Sequence, residues 1–199
     1  STDYVFDGTS KIPYTESDNT NPLNQYGKSK LNGEKVIHSY SINNLIFRTS
    51  WVYDDTSQNF PNKILDKIKK GEVINVVDDQ YGVPNHVDFI SEVTYKCIEK
   101  YFSYSDDIKN SINGIYHLSS TGEVSWYKYA EFIFQKYSEK EMCKVNTSLV
   151  PIKSSSIDCR AVRPNYSVLD SSKISSVFDI VMPPWQDYAN KFIDSKLWK

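Results

Sequence analysis

The sequence predicts an α/β protein built on a parallel sheet with helices on its faces. Three observations carry this. Residues 1–6, "STDYVF", have the β-branched and aromatic make-up of a strand, and residues 44–53, "NLIFRTSWVY", that of a strand with its outgoing loop. Between them, residues 25–40 have the spacing of a helix, and strand, helix and strand in that order form a βαβ unit. Beyond residue 55, strand-like and helix-like segments keep alternating to the end.

Residues 7–24 read as a polar loop containing Pro13 and Pro22. In "QYGKSKLNGEKVIHSY", Tyr26, Lys30, Gly33 and Ile37 fall on one helix face at spacings of four, three and four. Gly33, inside the helix, predicts close packing against a neighbour. "NFPNKILDKIKKG" reads as a short helix stopped by Gly71, "EVINVV" as a strand and "DDQYGVPN" as a turn-rich loop. "HVDFISEVTYKCIEKYF" places Val87, Ile90, Val93, Cys97, Ile98 and Tyr101 as an amphipathic helix. "GIYHLS" is a strand, and residues 125–138 are a helix with Ser125 as its N-cap. "LVPIK" is an edge strand, and "RPNYSVLDSSKI" a loop entering a short helix. "MPPWQDYANKFIDSKL" is a helix begun by its proline pair.

The 199 residues suffice for one large core or one and a half domains. The chain has 23 basic and 25 acidic residues and a net charge of −2, so no basic field points to nucleic acid. Mean hydropathy is −0.52. No apolar run approaches the roughly 18 residues of a membrane span, so a soluble protein is expected. Cys97, Cys143 and Cys159 are odd in number and lack CxxC spacing, which fits a reducing, cytoplasmic compartment and argues against a disulfide framework or a zinc site. His38, His86 and His117 lie too far apart in sequence for a paired-histidine motif. The chain opens directly on a strand without a starting Met, so it is expected to be the latter part of a longer protein.

Tyr26 and Lys30, four residues apart on one helix face, are the first candidate for chemistry. A nearby ammonium favours a phenolate, which makes Tyr a usable acid or base. In a chain this rich in Tyr and Lys, roughly one or two YxxxK spacings arise by chance, so an ordinary helix start is an open alternative. Thr2 and Asp3, with Ser1, would stand at the carboxyl edge of a parallel sheet, where ligands of open α/β folds bind; a plain β-propensity run reads equally well. "RTSWVY" is a second strand end with polar residues, and Trp51 in it is either core or ligand platform. Arg160 and Arg163 suit phosphate recognition or are surface residues.

Taken together and in order, "STDYVFDG", "PLNQYGKSKLNGEK", "FRTSWVY", "DDQYGVP", "GIYHLS", "SWYKYA" and "RPNYSVLDSSK" resemble the dTDP-4-dehydrorhamnose reductases, members of the extended short-chain dehydrogenase/reductase superfamily. The resemblance runs essentially from end to end. It implies the latter part of a Rossmann-type doubly wound parallel sheet, with the Tyr/Lys helix, over residues 1–53. It implies a smaller α/β substrate-binding domain over 54–199, some of whose elements return to the first sheet. The family's Gly-rich phosphate loop is not among the seven glycines here. The isolated chain is therefore expected to bind the cofactor poorly and to be inactive alone.

The resemblance implies NADPH as cofactor, or NADH in its place, and a dTDP-sugar as substrate. It implies reduction of the C4 ketone of dTDP-4-dehydro-L-rhamnose to dTDP-L-rhamnose, a precursor of surface polysaccharide. Tyr26 resembles the proton donor, Lys30 the residue that tunes it and holds the nicotinamide ribose, and Thr2 the hydroxyl beside the reacting oxygen. Asp3 and Tyr4 would flank the sugar, Trp51 would pack on it and Arg163 would face the nucleotide. Thr49 and Ser50 would pass the nicotinamide. Some members dimerise through a divalent ion held by Glu residues. Here "HVDFISE" offers Asp88 and Glu92, and the last helix has Asp but no Glu, so little supports a bound Mg, while a homodimer is an open expectation. Two alternatives resemble the chain less: an epimerase or dehydratase of the same superfamily, and a regulatory subunit such as that of methionine adenosyltransferase.

Overall fold

The computed structural model describes residues 1–40, 43–141, 147–158 and 161–197. Cys143, Cys159 and Arg160 lie outside the described residues.

Helix α1 spans Gln25–Tyr40. It starts on Asn24, whose Oδ1 accepts the Gly27 N–H at 2.9 Å, the geometry of an N-cap. Strand β1 (Leu45–Arg48) and the short β2 (Val52–Tyr53) follow. Helix α2, Phe60–Lys69, is capped by Asn59 and carries Pro61 in its first turn. Strand β3 is Ile74–Val77, β4 Tyr81–Gly82 and β5 Asn85–His86. Helix α3 spans Val87–Ser103 and buries Phe89, Val93 and Cys97 at i, i+4 and i+8. Then come α4 (Asp106–Ser111), β6 (Gly114–His117) and β7 (Val124–Ser125). Ser125 Oγ accepts the Lys128 N–H and so caps α5, Trp126–Glu141. Strand β8 (Leu149–Ile152), α6 (Ser172–Phe178) and α7 (Trp185–Leu197) complete the chain.

The pairing is mainly parallel. β1 lies between two partners. On one side β6 pairs with it from Leu45↔Gly114 to Arg48↔His117. On the other, the nitrogen of Ser1 donates to Phe47 O at 2.6 Å and that of Asp3 to Thr49 O at 3.1 Å, around a parallel Thr2↔Thr49 bridge. A second parallel pair joins β3 to β8. Two main clusters of buried side chains fill the interior. One gathers Ile64, Ile68, Ile74, Tyr129, Ile133 and Phe192 under β3 and β8. The other gathers Phe89, Val93, Cys97, Tyr116, Leu118 and Phe178 beside β6.

Four expectations need correction. The opening strand ends at Thr2, and Asp3–Val5 is a 3₁₀ turn, because Thr2 Oγ1 accepts the Tyr4 N–H at 3.3 Å and draws the backbone off the ladder. In the run 44–53 the strand ends at Arg48, and its outgoing loop, after a turn at Trp51 with φ +42°, holds a second short strand, β2. Gly33 is exposed, and a Cβ there would meet nothing within 4 Å; the tightly packed glycine of α1 is Gly27. In α3, Ile98 faces outward and Phe89 takes the buried place. The loop 78–85 also holds the whole of β4 and the start of β5, each too short to show a period of two.

Candidate active site

The first turn after the opening ladder builds one wall. Thr2 is buried, and its hydroxyl donates to Asp3 Oδ1 at 3.0 Å while accepting from Tyr4 N. Asp3 is buried as well, which pushes its carboxyl up to about 6 against the pull of the Ser167 and Thr2 hydroxyls. Its second oxygen, Oδ2, has no hydrogen-bond partner of normal geometry. A buried acceptor left this way costs about 1–3 kcal/mol, and the Ser167 hydroxyl is the group that eases the charge on this carboxyl most.

Helix α1 presents Tyr26 and Lys30 on its open side. Tyr26 is 52% exposed and meets the Tyr4 ring edge-on, with centroids 5.8 Å apart. The Lys30 ammonium lies 5.7 Å from the Tyr26 ring centre. The approach of the helix to the 3₁₀ turn depends on Gly27. A Cβ at that position would overlap the Tyr4 carbonyl oxygen and stand 2.9 Å from Pro22 Cβ. Asn24 adds a second tie: besides capping α1, its Nδ2 donates to Val162 O at 2.8 Å.

The third wall is the end of β1. Thr49 Oγ1 is buried without a hydrogen-bond partner. Ser50 has its hydroxyl committed inward, donating to Val83 O at 2.9 Å and accepting from Asn85 at 3.2 Å. Trp51 follows in the left-handed region, a strain of about 1–3 kcal/mol for a bulky residue. Trp51 lies flat on Trp126, with centroids 3.4 Å apart and planes at 8°.

Under these walls lies a buried charge network with no counterpart among the sequence expectations. Arg48 donates from Nε to Glu34 Oε1 at 2.9 Å and from Nη2 to Oε2 at 2.7 Å, with both side chains 3% exposed. The fork fixes α1 against β1 from below, two turns beyond Tyr26. His117, at the end of β6, stands 2.9 Å from Tyr14 O through Nδ1 and 3.5 Å from Arg48 through Nε2. Burial and the Arg48 charge push this ring down to about 4, so the proton sits on Nδ1 and Nε2 faces the guanidinium as an acceptor. Arg48 ends the otherwise apolar run "LIFR", and that lone charge was the available signal.

Arg163 is exposed and lines a hollow of about 280 Å³ with Gln80 and Ser154. The Asn24–Val162 bond links its loop to the start of α1. A roomier cleft, about 880 Å³, is elsewhere, between Ser120–Glu123 and Ser171–Met182. Its lining includes Glu123, Asp170 and Asp179 and no Lys or Arg, so it repels a phosphate, and its size does not outweigh the chemistry at the Tyr26 edge.

Asp55, His86 and Asp88 bring possible metal-ligating atoms within 4.8 Å of one another. Their arrangement serves the helix instead. His86 Nδ1 accepts the Asp88 N–H at 3.2 Å and caps α3, while Asp55 lies 3.3 Å from Nε2, on the opposite side of the ring. One ion cannot use both ring nitrogens. Glu92 accepts the Tyr188 hydroxyl at 2.7 Å.

A parallel α/β edge carrying a Thr-bearing strand end, a Tyr–Lys helix and a further strand end is the architecture of the short-chain dehydrogenase/reductase type. The chain belongs to the family described as RmlD substrate binding domain, whose sequence model matches residues 1–197. It is 37% identical over 186 residues to a dTDP-4-dehydrorhamnose reductase of Salmonella typhimurium, covering 94% of this chain and 60% of the relative. The crystal structure of a dTDP-4-dehydrorhamnose reductase from Clostridium acetobutylicum matches 99% of the chain with a TM-score of 0.85 and 32% identity, over 64% of its own length. The enzyme of the same name from Bacillus anthracis, determined in complex with NADP, also has a TM-score of 0.85, at 31% identity, covering 98% of this chain and 64% of that one. The chain thus spans less than two thirds of these relatives. Among the described residues, no helix is long and apolar enough to cross a membrane.

Proposed function

We propose that the protein reduces the C4 ketone of dTDP-4-dehydro-L-rhamnose to dTDP-L-rhamnose with NADPH, in the cytoplasm. The observation that carries this is the convergence of Thr2, Tyr26 and Lys30 on one sheet edge in a chain of this family. Residues around the edge fit the nicotinamide end of the cofactor. Thr49 Oγ1 is a buried hydroxyl without a partner, and Lys30 makes no ion pair among the described residues. Lys30 would hold the ribose hydroxyls, and Thr49 would meet the nicotinamide. The inward hydroxyl of Ser50 leaves that residue only its backbone for this purpose. When bound, NADPH supplies the hydride for C4.

The chain's own residues supply the proton and the positions. Tyr26 donates its hydroxyl proton to O4, where negative charge develops. Lys30, close to the ring, stabilises the phenolate that results. Thr2 adds a hydrogen bond to the same oxygen, for which its proton turns away from Asp3 Oδ1. Asp3 and Tyr4 flank the sugar, Trp51 packs on it, and Arg163 reads the nucleotide diphosphate with its planar fork. In this assignment residues 1–53 belong to the cofactor side and 54–199 mainly to the substrate side, with β6 returning to β1.

The test is turnover of the complete protein given NADPH and dTDP-4-dehydro-L-rhamnose, followed by loss of NADPH absorbance and by identification of the sugar product. Stoichiometric oxidation with formation of dTDP-L-rhamnose is expected. A protein that keeps oxidised cofactor bound and interconverts nucleotide sugars without net oxidation would instead be an epimerase of the same fold.

A further inference from the structure

Trp51 stands where three parts of the chain meet, and its pose is over-determined. A bulky residue at φ +42° persists only where its surroundings hold it. Trp126, the first residue of α5, covers the indole at 3.4 Å and 8°. Gly82 of β4 closes on the same ring: a Cβ there would stand 2.6 Å from Nε1 and 2.7 Å from Cζ2. The two contacts have one source, because β4 pairs antiparallel with Val124–Ser125, the strand that runs directly into Trp126. Phe60 of α2 packs in turn on Trp126, with centroids 4.5 Å apart. Trp126 and Gly82 therefore take opposite faces of the Trp51 indole, and since the residue is only half-buried, what it leaves open to solvent is its ring edge.

We propose that Trp126 and Gly82 are positioning residues for the sugar. They clamp the Trp51 indole between them in one plane before substrate arrives, and the sugar ring of the nucleotide sugar packs against the edge that this clamp leaves open. The inference deepens the reductase reading and rests on it. An indole free to turn about its side-chain bonds would have to be immobilised by each incoming substrate, a loss of about tenfold in affinity. The stack also spans the two sides of the molecule. Trp51 leaves the strand next to Thr2, whereas Trp126 and Gly82 belong to the β4–β7 and α5 side. The substrate side therefore sets the orientation of a residue at the catalytic edge.

The experiment uses the complete protein in four forms: wild type, Trp126→Ala, Trp126→Phe and Gly82→Ala. Two stacked indoles give an exciton couplet in circular dichroism, which reports the pose of Trp51 without any substrate. The couplet should vanish in Trp126→Ala and change in Gly82→Ala, where Trp126 is intact and the ring is displaced. In both variants KM for the sugar nucleotide should rise about tenfold, with KM for NADPH and kcat within about twofold of wild type. Trp126→Phe, which restores a stacking ring and keeps the fold around Phe60, should recover most of the sugar affinity. Variants that lose or change the couplet but keep the wild-type KM for sugar would overturn the inference. So would a Gly82→Ala protein with the wild-type couplet. A wild type that shows the couplet but never turns over a 4-keto nucleotide sugar would sink the reductase reading instead, and the Gly82→Ala couplet would still decide whether the cradle exists.

Discussion

Gly27 is the position where one added methyl group should do the most damage to catalysis. Its Cα faces the Tyr4 carbonyl so closely that an alanine Cβ would overlap the oxygen and stand 2.9 Å from Pro22 Cβ. Neither neighbour can swing aside, since one is backbone and the other a proline ring. A carbon and a carbonyl oxygen settle at about 3.3 Å or more, so the start of α1 has to retreat from the 3₁₀ turn by roughly 1 Å. Tyr26 is the adjacent residue and moves with it, while Thr2 stays on the sheet. A misplacement of about 1 Å between a catalytic group and its substrate lowers the rate by about 100-fold. Stability changes less, because overpacking costs about 1–3 kcal/mol and alanine regains about 1 kcal/mol of helix propensity. The assay is steady-state NADPH oxidation by complete Gly27→Ala protein beside a thermal melt. The expected result is a kcat lower by about two orders of magnitude in a folded protein. A variant that melts near wild type and keeps wild-type kcat would refute the argument that this contact places Tyr26.

Three further outcomes follow from the same geometry. Tyr26→Phe removes the proposed proton donor and should lower kcat by about 10²–10⁴-fold while leaving NADPH affinity, read by fluorescence titration, within a few-fold. Arg48→Met strips the buried Glu34 carboxylate of its fork and should destabilise the fold by about 3–5 kcal/mol in urea denaturation; Glu34→Gln with Arg48→Met together should recover much of that loss. Native Asp3, at about 6, binds its proton more tightly than the unfolded chain, whose value is near 3.8, so this group's contribution is complete below about pH 4 and is lost as pH rises through 6. Asp3→Asn abolishes that term, and its stability relative to wild type should rise by up to about 3 kcal/mol between pH 4 and 7; a constant difference across that range would show that Asp3 is not buried as described.

The long helices were legible because their apolar spacing is dictated by packing, as at Val93 and Cys97 in α3. The helix of Tyr26 and Lys30 was legible too, but its orientation was not. Gly33 looked like the packing residue because it interrupts good helix formers, whereas Gly27 does that work through a carbonyl twenty-three residues earlier in the chain. The break at Trp51 left no mark because a tryptophan in the left-handed region has no local signature; Gly82 and Trp126 hold it there from far along the chain. Thr2 and Thr49 could be nominated separately as strand-end hydroxyls, but their adjacency is a property of the ladder. The Glu34–Arg48 fork escaped because each residue alone resembles a surface charge, and burial appears only once helix and strand meet. Asn24 lay beside the Tyr–Lys pair in plain view, yet its bond to Val162 spans most of the chain.

The β1–β6 pairing has a consequence for biogenesis. Leu45 finds Gly114 and Arg48 finds His117, so β1 keeps one open hydrogen-bonding edge until the chain has been made through residue 117. Ile74 must likewise wait for Leu149. Such distant parallel pairings assemble slowly, and an unpaired apolar strand invites association with other nascent chains. A ribosome stalled between residues 50 and 110 would expose "LIF" as a sticky seam. This fold should therefore lean on chaperones during synthesis more than a helical bundle of the same length, and truncations in that interval should be found in inclusion bodies.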